Sequence, residues 1–189
     1  MKPITILSAM MLLAYPFSVY YGLDRWGVTT VACFLVILFI LRVVGGNQSR
    51  LYELKYIAWL SGTAGIILTS LAFVFKSSHW FTYYPVVVNL LMFILFVQSL
   101  FQEKTIIERF ARLKEPGLPD YAVVYTRNVT KVWCLFFIVN AGAAFLTAFI
   151  SIEVWTLYNG LISYFLAGSL FAVEFIVRVF VKRKNEKIA

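Results

Sequence analysis

The sequence is poor in the residues from which soluble enzymes are built. Of its 189 residues only 14% are charged, nine are acidic, two are cysteine and one is histidine. Soluble domains run at about a quarter charged. The lone histidine, His79, excludes a His-based metal cluster and gives a histidine-dependent triad no support. Cys33 and Cys134 each fall inside an apolar run, so neither a disulfide framework nor a C-x-x-C site is available; both read as small apolar packing residues. No D-x-x-x-D pair, H-E-x-x-H, Walker loop or nucleophile elbow is present. A buried row of ionisable residues, needed by a proton-coupled transporter, is also missing. No metal or cofactor is expected, and the balance is against an enzyme. Catalysis would have to rest on groups such as Glu108, Asp120, Tyr125 and Lys131, and no spacing singles out a general base.

What the chain has in abundance is apolar surface: 61% of residues are hydrophobic and the mean hydropathy is +0.83. Six apolar runs stand out, at Ile4–Leu23, Val28–Val44, Tyr56–Phe75, Phe81–Phe101, Val132–Ile150 and Val154–Val177. At about 1.5 Å per helical residue each crosses a hydrocarbon layer of about 30 Å. Backbone polar groups in lipid must be satisfied internally, so the expected fold is all-α: a single polytopic membrane domain over 1–189 with six transmembrane helices. The weak, alternating segments of a β-barrel are absent. The first run follows Lys2 and has no small-x-small cleavage site after it, so it is expected to be retained as a helix. Pro16 is expected to kink that helix, whereas Pro85 lies where a fourth helix begins and is tolerated.

The net charge of +8 would suggest nucleic acid in a soluble chain, but here topology accounts for it and no nucleic-acid partner is expected. If the N-terminus, the second and fourth connections and the C-terminus share one side, that side holds fifteen of the seventeen Lys and Arg residues. Arg25 and Lys76 are the other two. Both termini are therefore expected on the cytoplasmic side. The sequons at Asn47 and Asn128 then fall on that side too and carry no meaning for glycosylation. Aromatic anchors mark the short opposite connections: Trp26, then Trp80 with Tyr83 and Tyr84, then Trp155 with Tyr158. The similar spacing of Trp59 to Trp80 and of Trp133 to Trp155 fits three similar helical hairpins, and equally an interfacial aromatic belt.

Residues 102–131 form the one connection too long to be a turn. From Glu103 to Leu113, Ile106, Ile107, Phe110 and Leu113 share one helical face, the pattern of a cytoplasmic amphipathic helix lying in the headgroup layer. Pro116-Gly117-Leu118-Pro119 breaks it, and Asp120 is placed to cap a helix that runs on into the fifth span. On that helix Val124, Arg127, Asn128 and Lys131 share a face. Arg109, Arg112, Arg127 and Lys131 are thus candidates to converge on an anion: a lipid phosphate, a diphosphate or a phosphopantetheine arm. The competing reading is that they satisfy the positive-inside rule and bind anionic lipid loosely.

Polar groups within the runs are few. Asn89 and Asn140 lie about 13 Å from their nearer interfaces, near the midplane, and an amide there needs a partner; the two are expected to contact each other or a polar lumen. Asn159 is a further intramembrane amide, and Glu174 and Arg178 make an i, i+4 ion pair. Small-residue pairs, Ser61/Gly65 and Gly168/Ala172, mark helix contacts. The Gly- and Ala-rich last two spans suit pairing between chains, as a homo-oligomer, as well as a closed monomer.

The stretches Glu108–Leu113, Leu118-Pro119, Tyr125–Thr130 and Trp133–Asn140, continuing through Trp155, Tyr158 and Asn159, resemble a family of small inner-membrane proteins of Gram-negative bacteria. Its members are encoded beside aryl-polyene and related fatty-acid-like pigment pathways, and the likeness covers about the last half of the chain. It implies a setting in which carrier-bound acyl intermediates are made at the cytoplasmic membrane face and passed to lipid, and it implies no particular reaction. Leu118-Pro119, the Trp133-x-x-Phe136-Phe137-Ile138 run, Ala148 and Trp155 are more distantly similar to the intracellular septation protein A family. That family carries an asparagine where this chain has Ala144, and a lysine in place of Asn159. The resulting expectation is an inner-membrane accessory protein of envelope-lipid or aryl-polyene-type biosynthesis. Its partners would be membrane phospholipid and an acyl carrier or another biosynthetic protein. The alternatives are an acyl or lipid transferase using the same basic cluster, and a septation-like envelope-integrity protein.

Overall fold

The computed structural model describes residues 14–46 and 52–186. Among them there is no strand. The helices are α1 (Tyr15–Gly46), α2 (Tyr52–Phe75), a single turn α3 (His79–Thr82), α4 (Tyr84–Leu100), α5 (Ile106–Lys114), α6 (Asp120–Thr147), α7 (Ile152–Leu157), a π-helical turn (Tyr158–Ile162) and α8 (Ser163–Glu186). Five stretches are long and apolar enough to cross a membrane: Tyr15–Gly45, Lys55–Phe75, His79–Leu100, Asp120–Thr147 and Ile152–Asn185. Large apolar side chains such as Phe34, Ile37, Phe165, Phe175 and Phe180 stand exposed. A water-soluble monomer rarely exposes apolar area on that scale, and such a surface fits solvation by lipid.

The first expected span begins before the described residues, and so do Lys2, Asn47 and Arg50 lie outside them. Within α1 the break falls at Gly27, with φ 71° and ψ 172°, a conformation open to glycine and strained for other residues. Here the chain reverses. A methyl group on Gly22 would stand 2.8 Å from Val31 Cγ2, and the Tyr15 and Phe39 rings are 5.9 Å apart. A straight helix would separate residues 22 and 31 by about 13 Å. Pro16 stands in the first turn of α1, where a proline is tolerated, and the kink expected of it involves residues outside the described ones. Pro85 has the same place in α4.

The described residues fall into two compact units, the first reaching to Leu91 and including Asn140–Ser163, the second comprising Met92–Val139 and Tyr164 onward. Each has its own core. In the first, Tyr15, Phe39, Phe81, Tyr84 and Trp155 are buried together with Leu35 and Ala72. The second arm of α1 lies close on α2 because α2 presents small residues there: a methyl on Gly65 would meet the Phe39 ring at 2.4 Å, and one on Gly62 would meet Val43 Cγ2 at 2.5 Å. In the second unit Phe96, Ile106, Val129, Trp133, Cys134 and Phe137 are buried. Cys134 thus packs as expected. Cys33 does not: it is exposed on α1. Gly168 also departs from expectation, for nothing within 4 Å would meet a methyl there, and Ala172 is exposed. Spacing of small residues permits close approach but does not supply the partner.

Several hydroxyls inside these helices are quenched locally. Thr63, Thr130 and Thr147 donate to the carbonyls of Trp59, Thr126 and Ala144 at 2.7, 2.8 and 2.9 Å, the i−3 and i−4 pattern that removes a free O–H from an apolar surround.

Candidate functional site

The arginines of the long connection hold the connection itself. After α4 the chain turns: Ser99 Oγ donates to Phe96 O at 2.7 Å and accepts from the Ile106 amide at 3.1 Å, while Thr105 caps α5 by accepting from Glu108 N. Arg109 donates to Lys104 O at 3.0 Å and to Gln102 Oε1. Arg112 Nε binds the buried carboxylate of Glu108 at 2.8 Å, and its Nη1 reaches Pro116 O at 2.9 Å. Arg127 donates to Leu100 O at 2.7 Å. These carbonyls belong to turns whose backbone has no helical partner, and a guanidinium satisfies them without a further residue. Lys131 is exposed. Of the four residues expected to converge on one anion, Arg109, Arg112 and Arg127 thus donate to the connection itself, and Lys131 faces outward. Along α5, Ile107 and Phe110 pack on the second core beside buried Ile106, while Leu113 is left exposed. The face of Val124, Arg127, Asn128 and Lys131 on α6 is exposed as a whole.

The cations that do surround a cavity are others. In the second unit a cavity of about 380 Å3 is walled by Phe110, Leu118, Val129, Trp133 and Phe171, with Lys114, Arg178 and Lys182 among its polar lining. Its carboxylates sit close to those cations: Glu174 Oε1 is 3.6 Å from Arg178 Nε, the ion pair expected from sequence, and Glu115 Oε2 is 3.8 Å from Lys182 Nζ. Tyr125 reaches across from α6, its hydroxyl 3.0 Å from Glu174 O and 3.3 Å from Glu174 Oε1. Both ion pairs are longer than hydrogen bonds and largely exposed on the cationic side, a geometry worth at most about 1 kcal/mol. Lys114 and Lys182 escaped the sequence reading because nothing in their spacing relates them; α5 and α8 bring them to one rim only in three dimensions.

In the first unit the intramembrane amides form a relay. The Tyr158 hydroxyl lies 2.8 Å from Asn140 Oδ1, Asn140 Nδ2 donates to Asn89 Oδ1 at 3.0 Å, and Asn89 Nδ2 donates to Pro85 O at 2.8 Å. Asn89 and Asn140 thus make the contact that their depth demands. Tyr158 and Asn159 belong to the π turn, where the Ser163 amide bonds Tyr158 O; such turns recur at functional places in helices. Asn159 Nδ2 donates to Trp155 O at 2.9 Å and lies 3.4 Å from Thr147 Oγ1, whereas Asn159 Oδ1 and Thr156 Oγ1 are buried with no hydrogen-bond partner within the protein. Among the described residues no three His, Cys, Asp or Glu side chains are grouped to hold a metal ion.

Comparison with family models, with curated proteins and with solved structures finds no match to this chain. Its function must be argued from the two units themselves.

Proposed function

We propose that this chain is an inner-membrane protein with six transmembrane helices and both termini cytoplasmic, whose cytoplasmic face holds the headgroup and first methylenes of an anionic amphiphile. In this reading it is an accessory component of envelope-lipid or aryl-polyene-type assembly, presenting lipid or an acyl carrier's phosphopantetheine-borne chain to enzymes of that pathway. The observation that carries the reading is the cavity of the second unit, apolar on its walls and cationic at Lys114, Arg178 and Lys182. An amphiphile needs both properties at once: apolar area removed from water contributes about 25 cal/mol per Å2, and a phosphate gains charge-assisted hydrogen bonds from the cations. Six crossings are supported by the chain reversal at Gly27, which folds the first apolar stretch into two arms. The cytoplasmic assignment rests on the distribution of Lys and Arg. The α5 helix, whose Ile106, Ile107 and Phe110 pack on the second core, then stands at the cytoplasmic face with Arg109, Arg112 and Lys114 on it.

The test is lipid selection by the purified full chain. In nanodiscs of mixed phosphatidylglycerol and phosphatidylcholine, brominated phosphatidylglycerol should quench Trp133 fluorescence more than brominated phosphatidylcholine, with the other tryptophans changed to Phe. The triple variant Lys114→Ala, Arg178→Ala, Lys182→Ala should lose that preference while keeping its helical circular dichroism. Equal quenching by both lipids in the unaltered cavity would refute the reading.

A further inference from the structure

Another cavity lies in the first unit. It has a volume of about 640 Å3 and is lined from three separate places: Asp24 and Arg25 ahead of the Gly27 reversal, Ser78 and His79 where α3 begins, and Ser151 and Glu153 at the start of α7. Each connection is shaped by a specific local device. Gly27 takes the positive φ that reverses α1. Lys76, at φ 50°, ends α2 in the left-handed conformation, and the Ser77 amide bonds back to Ala72 O at 3.2 Å, a Schellman closure that delivers Ser78 and His79 to the cavity. Ser151 caps α7 by accepting from the Val154 amide, which puts Glu153 in the first helical turn.

The floor beneath these groups is rigid. Trp155 is fully buried and its Nε1 donates to Thr82 O at 2.9 Å; Thr82 Oγ1 in turn donates to His79 O at 2.8 Å. Tyr15 donates to Phe81 O at 2.8 Å from below. On the wall, Tyr20 and Tyr21 meet edge to face with ring centres 5.1 Å apart.

The charges above this floor are what a ligand would meet. Asp24, Arg25, His79 and Glu153 are all exposed, and among the described residues none of the four forms an ion pair, in contrast to the paired carboxylates of the second unit. Asp24 and Glu153 disfavour a purely anionic ligand, while Arg25, with the His79 ring beside it as a hydrogen-bonding group, offers a place for an anionic one. A small molecule carrying both signs satisfies all four. Aromatic faces beside carboxylates suit an ammonium group, and a guanidinium fork suits phosphate better than a single-point anion. Ser78, His79, Ser151 and Glu153 lie beside the starts of the apolar stretches His79–Leu100 and Ile152–Asn185, and Asp24 and Arg25 lie beside the Gly27 reversal.

We infer that this cavity binds an ammonium-phosphate zwitterion of the phosphoethanolamine class, with Asp24 and Glu153 facing the ammonium and Arg25 and His79 facing the phosphate. The group can arrive on a lipid or as a free small molecule, and the experiment separates the two. The full chain in neutral detergent is titrated calorimetrically with O-phosphoethanolamine, with ethanolamine and with inorganic phosphate. The zwitterion should bind saturably and each half about tenfold or more weaker, the equivalent of one charge-assisted contact. The double variant Asp24→Asn, Glu153→Gln should abolish the preference over inorganic phosphate; Arg25→Gln, His79→Gln should abolish the preference over ethanolamine. All four positions are exposed, so thermal unfolding should be unchanged by these substitutions and folding is checked in the same samples. In parallel, native mass spectrometry after reconstitution in phosphatidylethanolamine and phosphatidylglycerol should show retained phosphatidylethanolamine, lost in Asp24→Asn, Glu153→Gln, if the lipid is the source. Saturable binding of the soluble compound without lipid retention assigns the free molecule. Absence of both, or binding that the four substitutions leave untouched, overturns the inference. None of these residues lines the cavity of the second unit, so this result is independent of the lipid test there.

Discussion

Asn140 holds two neighbours at once, accepting from Tyr158 and donating to Asn89, and is itself buried. Its replacement by Leu keeps the volume but leaves a tyrosine hydroxyl and an amide oxygen to find other partners in an apolar surround. The expected loss is about 0.6–2 kcal/mol, the range of interhelical hydrogen bonds in membranes. Thr156 is the opposite case. Its hydroxyl is buried with no partner within the protein, so Thr156→Val removes a desolvated polar group while keeping the branched shape. The expected gain is about 1–3 kcal/mol. Unfolding by added sodium dodecyl sulphate, followed by circular dichroism, reads both. Equal shifts in the two variants would mean that hydrogen bonding does not govern this interior. A loss in Thr156→Val would mean that the hydroxyl serves a bound molecule. The Asn89–Asn140 contact was legible in the sequence because depth along an ideal helix can be counted. Tyr158 as third member was not, because the π turn at Tyr158–Ile162 changes the register that counting assumes.

At the scale of helices, two glycines that read alike in sequence part company. Gly65 faces the Phe39 ring, which is fully buried and has no room to retreat, whereas Gly168 faces open space. Gly65→Ala is therefore expected to cost about 1–3 kcal/mol through overpacking. Gly168→Ala should be neutral or stabilising by up to about 1 kcal/mol, the difference in helix propensity. The same detergent titration distinguishes them, repeated at several protein-to-detergent ratios. A destabilised Gly168→Ala whose effect grows with protein concentration would instead make this face of α8 a contact between copies of the chain. The long connection teaches a related lesson. Its helix, its proline break and its restart at Asp120 follow from amphipathic spacing and turn chemistry, and α5 and α6 lie where that reasoning puts them. The destination of its arginines does not follow. A guanidinium that closes a turn onto Leu100 O or Pro116 O is the same residue, at the same spacing, as one that waits for a phosphate.

For the molecule as a whole, everything about sidedness turns on Gly27. If residues 15–45 crossed a membrane once as a straight rod, five apolar stretches would place the two ends of the chain on opposite sides. The contacts argue against a rod: Gly22 stands against Val31, and Tyr15 against Phe39, pairs that a continuous helix would hold many ångströms apart. In the proposed topology the reversal gives this stretch two crossings, which makes the total even and puts both ends on one side. In the same proposal the skewed distribution of Lys and Arg makes that side the cytoplasmic one. Single cysteines in a Cys33→Ser, Cys134→Ser background convert this into a measurement. Cysteine at Lys76 or Ser151 should react with a membrane-impermeant maleimide in intact spheroplasts, whereas cysteine at Lys104 or Lys184, or in a short N-terminal extension, should react only after lysis. An N-terminal extension labelled from outside while Lys184→Cys stays protected would mean an odd number of crossings and would contradict the reversal at Gly27. Labelling of Lys104→Cys and Lys184→Cys from outside, with Lys76→Cys protected, would keep six crossings but turn the molecule over. It would carry the cavity beside Lys114 and Arg178 away from the cytoplasmic enzymes that the proposed function requires.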